Sequence, residues 1–309
     1  MAYSSGGTIA AADYNTLVGS NSTTAGTLNY VWNTGNGAFG YGQGAISAVS
    51  ANGTVTATQW STMLNALNRC LQHQSGAAAT LGPVNYTAGS TITFFSNVQT
   101  SVTTVNTNKA LYTAQGSTTT GSDFDDAVST STGIATVAYG TRTVTFASAD
   151  AARYFFNAGG QLNYVVSTPT AAGTGANADF VGLIGGLGGW NQLNTTSSGR
   201  TGTGQTLGTN STTFGYRNNV LNTWTTVVSI TSTATSYNTD TAVLQVQTTS
   251  SDTTNGANGS TVQFRSVYTI ADHSWDDTIT VTHRSRVDIV YPETTYLNAA
   301  APWGTPVVS

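Results

Sequence analysis

The sequence predicts an α+β fold, with an N-terminal mainly helical region, residues 1–140, followed by a C-terminal antiparallel β-sandwich, residues 141–309. Two observations support this prediction. In the first third of the chain apolar residues recur at helical intervals, whereas from about residue 141 they alternate in short runs bounded by Gly, Asn, Asp or Ser. A length of 309 residues suits two domains, since domains commonly contain about 100–200 residues.

An imperfect internal repeat marks the first two predicted helices. Residues 8–17, TIAAADYNTL, are similar to residues 54–63, TVTATQWSTM, and each copy has the form of a helix start. In the second copy Thr56 and Gln59 have the spacing of a capping box, in which each side chain bonds the backbone N–H of the other residue. The apolar residues that follow at helical spacing predict a helix of about four turns ending near Gln74.

A third helix and a glycine-rich loop complete the N-terminal region. The helix is predicted because the following residues fall on one helical face: Phe94, Val98, Val102, Val105 and Lys109. Three of them are β-branched, but helix propensity is a weak prior that periodicity outweighs. Residues 35–44, GNGAFGYGQG, predict a loop that packs Phe39 and Tyr41 against a neighbour.

The C-terminal region is predicted to be built from short strands. Runs of strand length lie at residues 141–146, 162–167, 225–231, 242–248, 262–270, 278–283 and 287–290. Several strands at such spacing without intervening helices are typical of two packed antiparallel sheets. Residues 179–190 predict one short helix that ends at its glycines, since Phe180, Leu183, Ile184 and Leu187 have helical spacing.

The composition favours a subunit of an assembly. Charged residues make up 7% of the chain, against roughly 25% in an average soluble protein, and Thr, Ser, Asn and Gly replace them. Such a surface gives little charge repulsion between copies. Disorder is the competing interpretation of a polar, low-complexity chain, but 39% hydrophobic and 10% aromatic residues are ample for a core.

Charge and hydropathy also limit the partners. The net charge is −4 with nine Lys plus Arg, so the chain lacks the basic stripe that nucleic-acid binding needs. It shows no secretory signal pattern and no apolar run near the ~20 residues of a membrane span, so we expect no membrane insertion. We expect synthesis in a host cytoplasm. A single cysteine, Cys70, excludes an internal disulfide.

Few titratable groups are gathered at one place in the sequence. The densest cluster is residues 272–277, DHSWDD, which could supply a metal site or an acid/base pair with His283, although a strand-connecting turn is favoured. Asp123, Asp125 and Asp126 suggest a calcium loop, but the later Glu and the loop glycine are missing, which favours a solvated loop or helix start. We therefore predict no catalytic, cofactor-binding or metal-binding residue, and no enzyme.

The remaining candidates have plain structural interpretations. Residues 182–189 are glycine-rich but lack the order of a phosphate loop, which favours turns or close packing. Cys70 is expected to be a buried, inert thiol on the second helix. Four aromatics could stack on sugars, although core positions are favoured in a β-sandwich: Tyr216, Trp224, Tyr237 and Trp275.

Residues 146–161, FASADAARYFFNAGGQ, resemble a signature of virion structural proteins of tailed bacteriophages, many of them described as tail or tail-fibre proteins. The segment with Trp303, Gly304 and Pro306 is similar to the closing motif of that family, as is Tyr296-Leu297. The resemblance also reaches residues 12–15, 58–60 and 73–74. Family members usually continue the core into a strand carrying an Arg, whereas residues 161–164 here are QLNY. No catalytic residue comes with the resemblance.

The core motif can also be interpreted from its chemistry as a folding and packing device. Arg153 can fix its guanidinium on a carboxylate or on backbone carbonyls. Three aromatics contribute buried area, and the residues after them permit a turn with positive φ: Tyr154, Phe155, Phe156, Asn157, Gly159 and Gly160. We therefore expect Phe155→Ala or Gly159→Val to reduce solubility or assembly.

These observations lead to one hypothesis and three alternatives. The hypothesis is a homo-oligomeric structural component of a tailed-phage virion, in the tail, neck, baseplate or fibre, which contacts copies of itself and other virion proteins and needs no cofactor. The first alternative is a receptor- or carbohydrate-binding module at a fibre tip, with a host surface glycan as partner. A capsid decoration protein and a polysaccharide depolymerase follow, the last limited by the lack of a carboxylate pair at defined spacing.

Overall fold

The structure is a computed structural model that describes residues 9–76, 81, 85–90, 95–131, 135–171, 173–188, 191–194, 213–216, 222–249, 252–271, 278–297 and 302–309. These residues form helices and antiparallel sheets, so the α+β class is confirmed. Helices dominate the chain up to Thr107, and strands dominate from Gln115 onward.

Four helices form the N-terminal part: α1 (Ala11–Val18), α2 (Leu28–Trp32), α3 (Ala57–Ser75) and α4 (Phe95–Thr107). Both copies of the repeat begin helices, as predicted. The capping box is present, because the hydroxyl of Thr56 accepts from the N–H of Gln59 at 3.2 Å while the amide oxygen of Gln59 accepts from the N–H of Thr56 at 2.9 Å. Helix α3 ends at Gly76, whose φ of +66° suits glycine.

The helices pack around a shared apolar core. The two copies of the repeat touch at their starts, where Ala10 and Thr54 form an antiparallel bridge and the hydroxyl of Tyr14 donates to the carbonyl of Gln59 at 3.2 Å. The valines that predicted α4 are all buried: Val98, Val102 and Val105. Burial of this stripe explains why β-branched residues form a helix here, since tertiary packing outweighs propensity.

The rest of the chain contains these elements: β1 (Gln115–Thr119), β2 (Phe124–Ser131), β3 (Ala135–Thr145), α5 (Ala149–Asn157), β4 (Gln161–Ser167), α6 (Gly175–Leu187), β5 (Asn191–Asn194), β6 (Thr213–Gly215), β7 (Thr225–Thr231), β8 (Thr241–Thr248), β9 (Thr261–Ile270), β10 (Thr278–Pro292) and β11 (Val307–Val308). A short 3₁₀ turn lies at Thr254–Gly256. Every strand-length run predicted from the sequence overlaps one of these strands, with Phe146 one residue beyond the end of β3, and the predicted helix near residue 180 is α6.

Three details differ from the sequence-based expectation. Strands begin at Gln115, so the boundary placed at residue 140 falls inside β3. The runs at 278–283 and 287–290 are one continuous strand, β10. Beside the predicted α6, a second helix, α5, lies among the strands after β3 and was not predicted. Strand β1 escaped prediction because it is rich in Gly, Ser and Thr and largely exposed, which leaves no apolar alternation.

The strands form two sheets. The six-stranded sheet has the order β1-β10-β4-β5-β6, and β2 also pairs with β10; within it β5 and β6 run parallel. The five-stranded sheet has the order β11-β3-β9-β8-β7 and is antiparallel throughout. Rings from the two sheets stack, with the centroids of Tyr164 and Phe264 5.4 Å apart. Helix α6 contacts strands of both sheets.

Candidate functional site: the joint between helices and strands

The core motif lies where α5 meets the glycine-rich loop of the helical region. We call this contact, between Arg153 or Asn157 of α5 and the carbonyls of residues 34–40, the joint. Arg153 is fully buried. Its Nη1 donates to the carbonyl of Phe39 and its Nη2 to the carbonyl of Thr34, both at 2.6 Å, while Nη2 also pairs with Asp150 at 2.9 Å. The guanidinium thus uses both partners that the sequence suggested, a carboxylate and backbone carbonyls.

Helix α5 places the second donor of the joint. The hydroxyl of Ser148 caps the helix by accepting from the N–H of Ala151 at 3.0 Å. Arg153 and Asn157 are four residues apart and therefore lie on the same helical face. The side-chain nitrogen of Asn157 lies 3.0, 2.9 and 3.3 Å from three loop carbonyls, those of Gly37, Phe39 and Gly40.

The loop can present its carbonyls because glycines allow its shape. Gly40 has φ +98°, and a Cβ there would lie 2.0 Å from the carbonyl oxygen of Thr34. A second anchor comes from the 3₁₀ turn, where the carbonyl of Asn255 accepts from the N–H of Gly37 at 2.8 Å and its amide donates to Asp150 at 3.2 Å. The loop is therefore held by α5 and by the strand-rich part of the chain.

The aromatic residues of the motif pack as predicted. Phe155 and Phe156 are fully buried. Phe156 stacks on Tyr216 with ring centroids 4.4 Å apart. Gly159 has φ +106°, and a Cβ on Gly160 would lie 2.6 Å from the ring of Phe155, so glycine is required at both positions.

The residue that precedes the closing motif approaches Tyr154 of the core motif. A Cβ on Gly42 would lie 2.5 Å from Pro302 and 2.6 Å from the ring of Tyr154, so Pro302 and Tyr154 both approach this glycine. Tyr154 is half-buried under the guanidinium of Arg153, and burial is the main cause of its raised pKa. In the closing motif itself, Trp303 and Pro306 are buried, whereas Gly304 is exposed with φ +60°.

A buried ion pair makes a second connection between helices and strands, and no sequence pattern indicated it. Nδ1 of His73 on α3 lies 3.0 Å from Oε1 of Glu293, just after β10, and both side chains are buried. Burial acts to raise the pKa of Glu293, but the hydrogen bond and charge of His73 and the N–H groups of Thr295 and Tyr296 lower it below its ordinary value. Nearby, Arg69 donates to the carbonyl of Tyr296 at 2.5 Å.

The cysteine of α3 is buried as expected. Cys70 is fully buried. Burial raises the pKa of its thiol far above the ordinary value, and the neighbouring Arg69 offsets this only in part. The side chain therefore acts as a small apolar residue in the helical core.

The acidic group at residues 123–126 is not a helix start, and only Asp123, just before β2, lies outside a strand, so the loop interpretation was wrong for Asp125 and Asp126. Asp125 and Asp126 lie in β2, opposite Arg284 and His283 of β10. Arg284 binds Asp125 through two hydrogen bonds of 2.6 and 2.8 Å, and it lies 3.5 Å from Asp123. Cross-strand arginines, invisible in a local sequence window, neutralise these carboxylates.

A serine, a histidine and an aspartate come together between the sheets. Oγ of Ser266 lies 2.8 Å from Nε2 of His283, and Nδ1 of His283 lies 3.9 Å from Oδ2 of Asp126. Ser266 and His283 are fully buried, and the rings of Tyr139 and Tyr268 lie 5.9 and 5.7 Å from the imidazole. The order of groups is that of a catalytic triad, but no solvent reaches the serine in this structure and the histidine–aspartate distance is too long for a hydrogen bond.

The aromatic candidates separate into buried and surface positions. Tyr216 and Tyr237 are buried. Trp224 is half-buried, and the guanidinium of Arg265 lies 4.1 Å from its ring centroid. Trp275 and the rest of the cluster at residues 272–277 lie outside the described residues.

A groove runs between α6 and β7. Its volume is about 630 Å³, within the range of ligand pockets, and its walls include Gly182, Ile230 and Tyr237. The hydroxyl of Ser232 donates to the carboxylate of Asp179 at one side. The glycines near residue 185 therefore belong to a helix, where Gly186 permits close packing against Ile230.

Within the described part of the chain, no three His, Cys, Asp or Glu side chains are placed to hold a metal ion. None of the helices in that part is long and apolar enough to cross a membrane. Comparison with known proteins finds no matching family model, no matching curated protein and no matching solved structure.

Proposed function

We propose that this protein is a structural subunit of a tailed-bacteriophage virion, located in the tail, neck, baseplate or fibre, and that it acts through self-assembly and contacts with other virion proteins. The observation that supports it best is the joint. There Arg153 and Asn157 of the phage-like core motif bind the glycine-rich loop of the helical region. A motif whose side chains serve internal packing is more in keeping with a structural protein than with an enzyme.

The low charge supports the same proposal. Charged side chains are 7% of the chain, and surface carboxylates such as Asp123 and Asp125 are paired with arginines. Copies can therefore approach each other with little repulsion. Under this proposal the protein is not an enzyme, it needs no cofactor and it binds no nucleic acid.

We also propose the finer architecture in which the two sheets form a β-sandwich to which the N-terminal helices attach as an adaptor. Support comes from side chains that reach from one sheet to the other. Tyr164 of β4 stacks on Phe264 of β9 and donates to the carbonyl of Gly140 at 2.7 Å. Ser266 of β9 contacts His283 of β10.

The test uses particles of the phage that encodes the chain. Antibodies raised against the purified protein are applied to intact virions in immunoelectron microscopy, and the virion proteins are identified by mass spectrometry. We expect label at one tail or neck position and peptides from this chain in the particle. Particles that contain neither would contradict the proposal, and label confined to the capsid surface would replace it with a decoration role.

A second candidate, glycan binding, is favoured by the outer face of the five-stranded sheet. Side-chain amides there form ordered rows: Gln247 donates to Gln263 at 2.8 Å, and Gln263 donates to Thr143 at 3.2 Å. Arg265 donates to Gln245 at 2.8 Å and covers the ring of Trp224. Amide side chains that are already held in place beside an aromatic ring can hydrogen-bond sugar hydroxyls at a low entropic cost, because they lose little conformational freedom on binding.

This candidate is tested on a glycan array with the wild-type protein and Trp224→Ala. Binding that Trp224→Ala abolishes, and that Thr136→Ala at the other end of the same sheet leaves unchanged, would establish a receptor-binding role. No binding to any glycan would remove this candidate and leave the structural proposal intact.

A further inference from the structure

Among the described residues, the five-stranded sheet ends in two strands with different properties. Strand β7 forms one edge and β11 the other. Strand β7 has the sequence TTVVSIT, without charge or proline, and its aliphatic side chains Val227, Val228 and Ile230 stay partly exposed. Its pairing with β8 shifts register between Thr226 and Val228 and is regular from Val228 to Thr231, the part of the strand that borders the groove. Soluble proteins usually protect edge strands with charges, proline or bulges, because an open edge pairs readily with another strand.

The groove widens the β7 edge into a docking surface. From α6 it is lined by the small residues Ala178, Gly182 and Gly186 together with Asp179 and Leu183, and Ile230 of β7 also lines it. A Cβ on Gly182 would meet no atom within 4 Å, so this position opens directly into the groove. The groove therefore has room for an apolar side chain from another strand.

The opposite edge presents such a side chain. Val307 of β11 is 63% exposed, the one large hydrophobic residue so exposed in the described part of the chain. Two backbone hydrogen bonds between Ser309 and Thr143, of 2.8 and 2.9 Å, fix this segment on β3. The segment from residue 303 to 309, WGTPVVS, contains no charged side chain.

We propose that copies of this chain join head to tail, with β11 of one copy placed along β7 of the next and its Val307 seated in the groove beside α6. The contact would continue the five-stranded sheet from one copy to the next. It is heterologous, so it generates a ring if the rotation closes and a filament if it does not. This inference deepens the self-assembly in the proposed function and rests on it.

The electrostatics of the two surfaces agree with this arrangement. Asp179 and Tyr237 are the ionisable residues in the groove wall, and the carboxylate of Asp179 accepts from Ser232. An uncharged strand therefore enters without burying a like-charge pair.

The experiment measures the mass of the full-length protein by sedimentation velocity over a range of concentrations. Wild type should associate beyond a monomer, whereas Val307→Asp and Gly182→Leu should each remain monomeric. Each variant keeps one intact surface, so an equimolar mixture should form a one-to-one dimer of about twice the 31.8 kDa chain mass.

Matched controls separate the contact from general effects. Thr305→Asp places the same charge on an exposed residue two positions earlier, and Gly185→Leu enlarges an open glycine of α6 outside the groove wall; both should associate like wild type. Gly182→Ala suits the helix better than glycine, so it keeps the fold while it narrows the groove and weakens association.

The outcomes distinguish the inference from the proposed function. Wild-type association that Val307→Asp and Gly182→Leu leave unchanged would overturn the head-to-tail contact but not self-assembly. Monomeric variants that do not pair on mixing would also overturn it. A wild-type protein that stays monomeric at all concentrations would overturn both.

Discussion

Nη1 of Arg153 donates a 2.6 Å hydrogen bond to the carbonyl oxygen of Phe39, a residue 114 positions earlier in the chain. The same oxygen accepts from Asn157 at 2.9 Å, so two donors of α5 converge on one atom of the glycine-rich loop. Arg153 and Asn157 are buried, where an unmade hydrogen bond is costly. A local shift of the loop away from α5 would therefore leave these donors without partners.

Replacing Arg153 should strongly destabilise the fold. Arg153→Met removes the donors to Phe39 and Thr34 and leaves Asp150 without its cation, which should lower the free energy of unfolding by roughly 3 kcal/mol. Arg153→Lys should fall between Met and wild type, because an ammonium lacks the planar fork that reaches both carbonyls. Urea denaturation measures the effect. Arg284→Met on the exposed face is the control, and an equally large loss there would show that the joint has no special role.

Replacing Gly40 by alanine should destabilise the fold more than replacing Gly26 by alanine. Both glycines have positive φ, +98° and +80°, which costs a residue with a Cβ about 1–2 kcal/mol. A Cβ on Gly26 meets open space, whereas one on Gly40 would lie 2.0 Å from the carbonyl of Thr34. Gly40→Ala should therefore lower the melting temperature clearly more than Gly26→Ala in calorimetry. Equal shifts would mean that the loop adapts without losing its contacts to α5.

Burial of His283 should make the folded protein less stable as the pH is lowered. Burial lowers its pKa from 6.5 to about 4, outweighing the attraction of Asp126 and adding to the effect of Arg142. Between these two values the unfolded chain binds a proton that the folded chain does not, so stability decreases as pH falls from about 6.5 to about 4, by about 3 kcal/mol. Above pH 6.5 this contribution is fully present.

The variant His283→Gln checks this prediction, because an amide can still contact Ser266 but does not titrate in this range. Urea midpoints measured at several pH values should show a flatter profile between pH 4 and 6.5 than wild type. An unchanged slope would assign the pH dependence to other groups, such as the His73–Glu293 pair.

Local signals in the sequence predicted α1, α3, α4 and α6, whereas α2, α5 and the contacts between residues distant in sequence were not predicted. Thr56 and Gln59 identify the start of α3 because capping involves residues three apart. Strand β10 was predicted as two runs because Arg284 and Arg286 interrupt its apolar alternation. Their partners Asp125 on β2 and Asp123 just before it lie beyond any local window, although Arg286 also pairs with Asp288 of its own strand. The arginine chemistry of the joint was predictable, but its partner loop was not.

Pairs of polar residues far apart in sequence were the least predictable part. His73 and Glu293 are 220 residues apart, and Ser266 meets His283 only because β9 and β10 belong to different sheets that touch. The distance in sequence between the two members of each pair gives no indication that they meet in the fold rather than face solvent. Without an alignment, a single sequence contains no record of such contacts.

Cys70 should be unreactive in the folded protein. It is fully buried in α3, and its raised pKa removes the thiolate that alkylating reagents need. Mass spectrometry after iodoacetamide treatment should find no label under native conditions and one label per chain in denaturant. Rapid native labelling would mean that α3 opens locally far more readily than its packing indicates.

Phe155→Ala tests whether the core motif is a packing device. Phe155 is fully buried against Phe146, Phe156 and Tyr291, so its removal leaves a cavity and should lower the free energy of unfolding by about 3–5 kcal/mol. Phe155→Leu keeps most of the volume and should lose less. Gly159→Val should also destabilise, because valine does not tolerate a φ of +106°. Melting curves measure stability, and sedimentation at low temperature measures assembly of the fraction that stays folded. Because the motif acts within one copy, lost stability should come with lost solubility on warming; variants that melt and assemble like wild type would rule out the packing role.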